Sequence, residues 1–412
     1  MTRGSRDAAP ARDARAAPDP DRVHDVAVVG GGAVGLLLAC LLARRGVDVV
    51  VLERRDAPAG RTRAIGIHPP GLAALDAAGV GAEVRRLAVP IRDGVVACRG
   101  RVLGRLAFTG EPVRSLPQRE TEALLEARLA RLAPGALHRD AEVVGVRERG
   151  PVVEVELAAD RAADRAEDRA GSGSRVVARY VVGADGVRSR VREAAGIGWA
   201  ARPGRAEYVM GDADDTMAAP ATALLYFEPA GVVESFPLPG GRRRWVAWLR
   251  RRPAVPLTAH GLATIVAART GASVDLAGAA EPSTFTAQQH LADRFAAGRI
   301  ALVGDAAHEV SPIGGQGMNL GWLDALELDR VLARVLAADD ARAADAGPDP
   351  FGGYARVRRR AAGRAIRQAW FNMTMGGAAS GARLRARNAL VRVLGVPPVR
   401  RLLASAFTMR GL

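Results

Sequence analysis

The 412-residue chain predicts an α/β fold with an inserted antiparallel sheet and a helical C-terminus. Three observations carry that expectation. The ordered part opens with two short apolar runs separated by a glycine cluster and a helix-forming stretch. Residues 205–290 then change to alternating, turn-punctuated segments. Beyond Gly317 the pattern becomes mainly helical.

Residues 1–22 are rich in Ala, Arg, Asp and Pro with no apolar segment, which reads as a disordered tail and no secretory signal. Val26–Val29 is a short apolar run ending in glycines, as a buried parallel strand requires. Leu36 to Arg45 has helix-forming Leu and Ala, Gly46 can close the helix, and Val47 to Leu52 is a second buried strand. Together they make one βαβ unit of about 30 residues. Arg119 to Leu132 is spaced as an amphipathic helix, and Val152 to Leu157 alternates as a strand. Between it and strand Val176–Val182 lies an Ala/Asp/Arg repeat closed by Gly171-Ser172-Gly173-Ser174, a solvated excursion between two strands. Tyr208–Gly211, Ala223–Glu228, Gly231–Pro237 and Arg244–Leu249 read as successive strands, followed by a helix over Pro256 to Thr270. The resulting organisation is a discontinuous first domain over 23–200 and 291–350, an inserted β-sheet domain over 201–290, and C-terminal helices over 351–412.

Composition excludes several function classes. No run of roughly 20 apolar residues could span a bilayer; Val26 to Leu42 is interrupted by four glycines. Two cysteines, Cys40 and Cys98, give neither a disulfide framework nor a metal cage, and a reducing cytoplasm fits them. All 59 basic residues are arginine, so mechanisms that need a catalytic lysine are excluded. The net charge of +15 is spread without aromatic interleaving, which argues against nucleic acid and for attraction of anionic substrates or a phosphorylated cofactor. On the C-terminal part, Arg356, Arg358, Arg359, Arg360, Arg364 and Arg367 precede Trp370 and Phe371. A solvated helix packed across the first domain is the preferred reading, with peripheral contact to anionic lipid as the alternative.

The first chemical motif is Gly30-Gly31-Gly32-Ala33-Val34-Gly35, a G-x-G-x-x-G between a strand and a helix. Gly30 permits the tight turn, Gly32 lets backbone approach a pyrophosphate, and Gly35 lets helix pack on strand. The helix N-terminus, with Ala33 and Val34, offers N–H groups and a positive dipole to phosphates. Glu53 stands 18 residues beyond Gly35, near the ~20 expected of a ribose-binding carboxylate; Arg54 follows it. This unit predicts a Rossmann-like dinucleotide site.

Two further segments change the reading. Tyr180 to Arg192, with Gly183-Ala184-Asp185-Gly186 and a trailing Ser189-Arg190-Val191-Arg192, resembles the "DG" fingerprint of flavoprotein hydroxylases. Arg299 to His308, with Gly304-Asp305, continuing through Ser311-Pro312-Ile313-Gly314-Gly315-Gln316-Gly317-Met318-Asn319-Leu320, resembles their "GD" fingerprint. Three fingerprints in this order, with a strand-rich insertion between the second and third, resemble the para-hydroxybenzoate hydroxylase superfamily of FAD-dependent monooxygenases. Ser311 departs from the pattern, where many relatives carry a second proline.

The resemblance implies a glutathione reductase-type FAD-binding domain. It places Asp185 and Gly186 near the pyrophosphate and the transient NAD(P)H path, and Asp305 on the ribityl chain. Gly304 ends the strand before it, and the backbone from Gly314 through Gln316 to Asn319 nears the isoalloxazine. Arg63 and Gln118 match positions where relatives contact the cofactor. The implied reaction uses NAD(P)H and O2 to hydroxylate an electron-rich small molecule, aromatic above all, through a C4a-hydroperoxyflavin, with a role in secondary metabolism as the expectation. Flavin carries that chemistry, so no acid/base triad is required; His308 and Pro312 are candidates for a minor role. Substrate contacts are expected from Tyr208, Met210, Tyr226, Phe236, Trp245 and Trp248, half of them being plain core. Lysine-dependent halogenation is excluded despite Trp245-Val246-Ala247-Trp248. A flavin reductase acting on a prenyl or polyene substrate, and a non-catalytic FAD-binding protein, stay open as alternatives. No metal is expected, and the chain is expected to be a monomer or homodimer.

Overall fold

The computed structural model describes residues 22–58, 60, 64–108, 110–159, 174–275, 279–313, 315–341, 349–396 and 409. Residues 1–21 of the expected tail over 1–22, residues 160–173 of the Ala/Asp/Arg repeat and its Gly/Ser close over 159–174, Arg63 and Gly314 lie outside the described residues.

The first sheet grows from the βαβ unit. Strand Val23–Val29 is flanked in parallel by Val49–Leu52 and by Arg175–Gly183, and Ile300–Leu302 pairs in parallel along the other edge of Arg175–Gly183. These strands are near-continuous apolar runs because helices cover the sheet. Helix Ala33–Arg44 buries Leu36, Leu37, Leu38 and Leu42. Cys40 is sealed in the same helix, its thiol donating to the Leu125 carbonyl at 3.3 Å, and burial pushes its pKa up to about 12. That makes it an inert core residue. The hairpin Val143–Arg149/Val152–Leu157 is added antiparallel to Arg175–Gly183. At the turn out of the first strand, Gly30 has φ +111°, and a Cβ there would stand 2.3 Å from the Ala184 carbonyl oxygen. Only glycine fits.

The second sheet has seven strands in the order Ser283–Ala287, Ala206–Asp214, Arg242–Leu249, Gly231–Leu238, Thr222–Glu228, Asp93–Cys98 and Arg101–Ala107. The four strands expected between 205 and 250 are all present. The hairpin over residues 93–107, which the expected division leaves with the first domain, joins this sheet instead, with Asp93–Cys98 parallel to Thr222–Glu228. Pairing across more than a hundred residues leaves no local signature. Helix Ala259–Thr270 covers one face through Leu262 and Val266, packed with Val209, Val233 and Trp245.

Within the expected helical part 351–412, the described residues form helices through Leu394, and 397–408 and 410–412 lie outside the described residues. Helix Gln316–Ala341 packs on Ala33–Arg44, and helix Gly352–Gly376 buries Ala361, Ala362, Ala365, Ile366 and Ala369 against the first domain. Arg387 of helix Gly381–Leu394 caps carbonyls of the second sheet, those of Phe227 at 2.5 Å and Glu228 at 3.2 Å. Among the described residues, no helix is long and apolar enough to cross a membrane, and no cluster of His, Cys, Asp and Glu could hold a metal ion.

Candidate functional site

One cavity of about 790 Å³ lies between the two sheets. At one end it meets the first turn of helix Ala33–Arg44, where Gly32, Ala33 and Val34 line it. Gly186, Asp305, Gly315, Gly317 and Met318 line its middle. At the other end it meets the face of the second sheet that helix Ala259–Thr270 does not cover. Glycine-bearing turns therefore bare backbone to one half of the cavity, and apolar side chains wall the other.

The nucleotide end is anchored by Glu53. Its Oε2 accepts from the Gly31 N–H at 2.7 Å, and Oε1 accepts from the Arg55 N–H at 3.0 Å and the Arg55 Nε at 2.8 Å. Burial works to raise the pKa of this carboxyl; the Arg55 hydrogen bonds, aided by the Gly31 N–H, outweigh it and hold the group below the usual carboxylate range. Glu53 is thus an anion at neutral pH. Arg54, by contrast, is exposed. Glu122 was not anticipated: its Oε1 accepts from the Ala33 N–H at 3.1 Å and from Gln118 Nε2 at 2.7 Å. Gln118 reaches the cavity wall through this pair.

The DG segment is held by Arg192. Its guanidinium donates to the Val187 and Ala306 carbonyls at 2.9 and 3.0 Å and lies 3.9 Å from the Trp199 ring centroid. Asp185 accepts from the Val191 N–H at 3.2 Å. Burial dominates its environment and raises the carboxyl despite nearby donors; its Oδ1 has no partner among the described residues.

The GD segment rests on a buried hub. Asp324, on helix Gln316–Ala341, accepts from the Gly304 N–H at 3.1 Å, His308 Nε2 at 2.5 Å and Arg358 Nε at 2.7 Å. Burial opposes its ionisation, but His308 and Arg358 outweigh it and keep the carboxyl low. His308 is fully buried and absent from the cavity wall. Its expected minor catalytic role is corrected: the ring ties the GD turn to two helices. Pro312 does line the cavity. Asn319 knits the following turn, accepting from the His68 N–H and donating to the Gly66 and Gly315 carbonyls. Gln316 is buried, and its Oε1 has no partner among the described residues.

Of the six aromatic and methionine candidates, Met210 and Phe236 line the cavity. Tyr226 and Trp245 point to the opposite face and pack with helix Ala259–Thr270. Their expected substrate role is corrected by strand alternation, since Leu225, Phe227, Arg244 and Val246 take the cavity side. Buried Tyr208 and half-buried Trp248 share the cavity side but pack into a core cluster with Phe285 and Met373, and neither lines the cavity. The wall that sequence reasoning missed includes Val96, Phe108, Leu225, Phe227, Glu234 and Val246, with Phe371, Asn372 and Met375 from helix Gly352–Gly376.

These features fit FAD. The cavity joins a helix N-terminus to glycine turns with bare backbone. Buried oxygens of Asp185 and Gln316, each set between two residues that line the cavity, have no partner among the described residues. A volume of 790 Å³ falls within the range of cofactor and ligand sites, roughly 300–1,000 Å³.

Comparison with known proteins agrees. A family model described as an FAD binding domain matches residues 23–369. Over 356 residues the chain is 32% identical to a ubiquinone hydroxylase of Rhodospirillum rubrum, covering 82% of this chain and 78% of that protein. It is 34% identical over 323 residues to the 6-methylpretetramide 4-monooxygenase of Streptomyces rimosus, covering 76% of this chain but only 56% of that longer protein. The solved p-nitrophenol 4-monooxygenase of Pseudomonas putida superposes with a TM-score of 0.80 over 93% of this chain and 97% of its own; at 23% identity this likeness concerns the fold alone.

Proposed function

This chain belongs to the FAD-dependent aromatic hydroxylases related to para-hydroxybenzoate hydroxylase, and on that premise we propose that it uses NAD(P)H and O2 to hydroxylate a phenolic or polycyclic aromatic compound. The observation that carries the proposal is continuity: the cofactor cradle and an apolar chamber walled by the second sheet are one cavity. Bound FAD would take electrons from NAD(P)H and activate dioxygen for transfer of one oxygen atom.

The chain's own residues do the rest. The first turn of helix Ala33–Arg44 faces the pyrophosphate with N–H groups and the positive end of its dipole. Glu53 accepts ribose hydroxyls in positions now held by Arg55, whose side chain is 36% exposed and able to withdraw. Asp305 takes the ribityl chain, and the bare backbone at Gly315, Gly317 and Met318 lets a flat ring approach. Apolar residues of the second sheet exclude water and hold the target carbon close. The chain acts in the cytoplasm as a monomer or homodimer.

NADPH consumption by the purified yellow protein in air, against phenolic and polycyclic aromatic compounds, is the direct test. Substrate-stimulated oxidation with a product heavier by one oxygen atom is the expected result. Oxidation that persists anaerobically and yields a reduced product would overturn the proposal in favour of a flavin-dependent reductase.

A further inference from the structure

The second sheet presents a largely apolar face to the cavity, broken by Arg105, Arg244 and Thr286, with one carboxyl, Glu234, on a central strand. The cross-strand row runs Met210–Val246–Glu234–Leu225–Val96, four apolar side chains around Glu234. Along its own strand the same-face neighbours are Val232 and Phe236, also apolar. Glu234 is 5% exposed and lines the cavity, and no described residue donates a hydrogen bond to it. Arg244 lies diagonally across, opposite Phe236, but Asp212 engages its guanidinium at 2.7 and 2.8 Å. Tyr208, whose buried Oη has no partner among the described residues, is the other polar group within electrostatic range. Burial alone lifts Glu234 to about 7.

A buried carboxyl without a partner costs stability, and an apolar side chain of similar size would remove that cost. Its place in the cavity wall gives the reason for keeping it. We propose that Glu234 recognises substrate, its carboxylate accepting a hydrogen bond from a phenolic or enolic hydroxyl. That bond fixes the orientation of the aromatic ring in the chamber and increases electron density on its ortho and para carbons. A hydroxyl fits better than a cationic group, because the chain carries +15 and Arg105 and Arg244 also line the cavity, so a cation would be repelled.

The inference rests on the hydroxylase reading but is tested apart from it. FAD-loaded protein at pH 8 is dialysed to equilibrium against 2-naphthol and against 2-methoxynaphthalene, which has the same ring and no donor. The wild type should bind 2-naphthol tighter by on the order of tenfold or more, the scale of a hydrogen bond to a charged group. Glu234→Leu should abolish that preference, and Glu234→Gln, which keeps a neutral acceptor, should retain a smaller part of it. Retained flavin absorbance reports that each variant is folded. An unchanged preference in Glu234→Leu, equal binding of the two probes by the wild type, or binding of neither would overturn the assignment. Oxygen insertion measured separately would still stand in that event, so the two readings fail independently.

Discussion

Two carboxyls in this molecule are sealed from water in opposite ways. Asp324, beneath the GD turn, receives the Gly304 N–H, His308 and Arg358, and its pKa is held low. Glu234, in the cavity wall, receives no hydrogen bond from a described residue, and burial raises its pKa to about 7. Desolvation opposes ionisation at both sites; the difference lies in what surrounds them. A saturated carboxylate organises the protein, fixing one turn to two helices. An unsatisfied one facing a cavity is set to meet something the protein does not contain.

The largest expected effect tests the saturated side. Arg358→Ala leaves the His308–Asp324 pair buried with a missing donor, and breaking a buried ionic network of this kind costs about 3–5 kcal/mol. Denaturant unfolding monitored by far-UV circular dichroism should show that loss, and the flavin absorbance of the purified protein should fall because the GD turn loosens. A loss below about 1 kcal/mol, within the range of exposed pairs, would dissolve the contrast between the two sites.

The next effect is a pH dependence of opposite sign at the two carboxyls. Asp324 is depressed in the folded state, so its stabilisation is present above the unfolded value and is lost as pH falls through the folded one. Glu234 is raised, from 4.5 to about 7, so its relative stability is greatest below 4.5 and is lost as pH rises through about 7. Measured against Glu234→Leu, the wild type should therefore lose roughly 3 kcal/mol between pH 4.5 and 8 and level off above that. A difference that does not vary with pH would mean that the wild-type carboxyl finds a partner on folding.

Legibility in the sequence followed the range of the physics. Gly30, Gly35 and the strand–helix–strand around them were readable because a positive φ and close backbone packing are local demands that glycine alone meets. The GD turn was readable as a motif, but the role of His308 was not: Asp324 and Arg358, which define it, lie 16 and 50 residues further on. The 93–107 hairpin was missed because its pairing with Thr222–Glu228 is set by tertiary contacts. Glu234, in Val232-Val233-Glu234-Ser235-Phe236, reads as one polar residue of an alternating strand. Burial of both faces of the sheet makes it unusual, and no single strand carries that information.

Tyr226 and Phe236 isolate the same limit at its smallest scale. Both are aromatic, both sit on adjacent strands of one sheet, and residue type makes them equal candidates for substrate. Register separates them: Phe236 looks into the cavity, while Tyr226 packs against the helix on the other face. Phe236→Ala should weaken binding of an aromatic ligand by about 1–3 kcal/mol, the scale of lost apolar contact in a pocket. Tyr226→Phe should change it by less than about 0.5 kcal/mol, as for a substitution away from the site. Equilibrium dialysis of 2-naphthol reads both. Equal losses in the two variants would mean that ligand affinity follows the packing of the whole sheet, and that the cavity face of the strands does not by itself select the substrate.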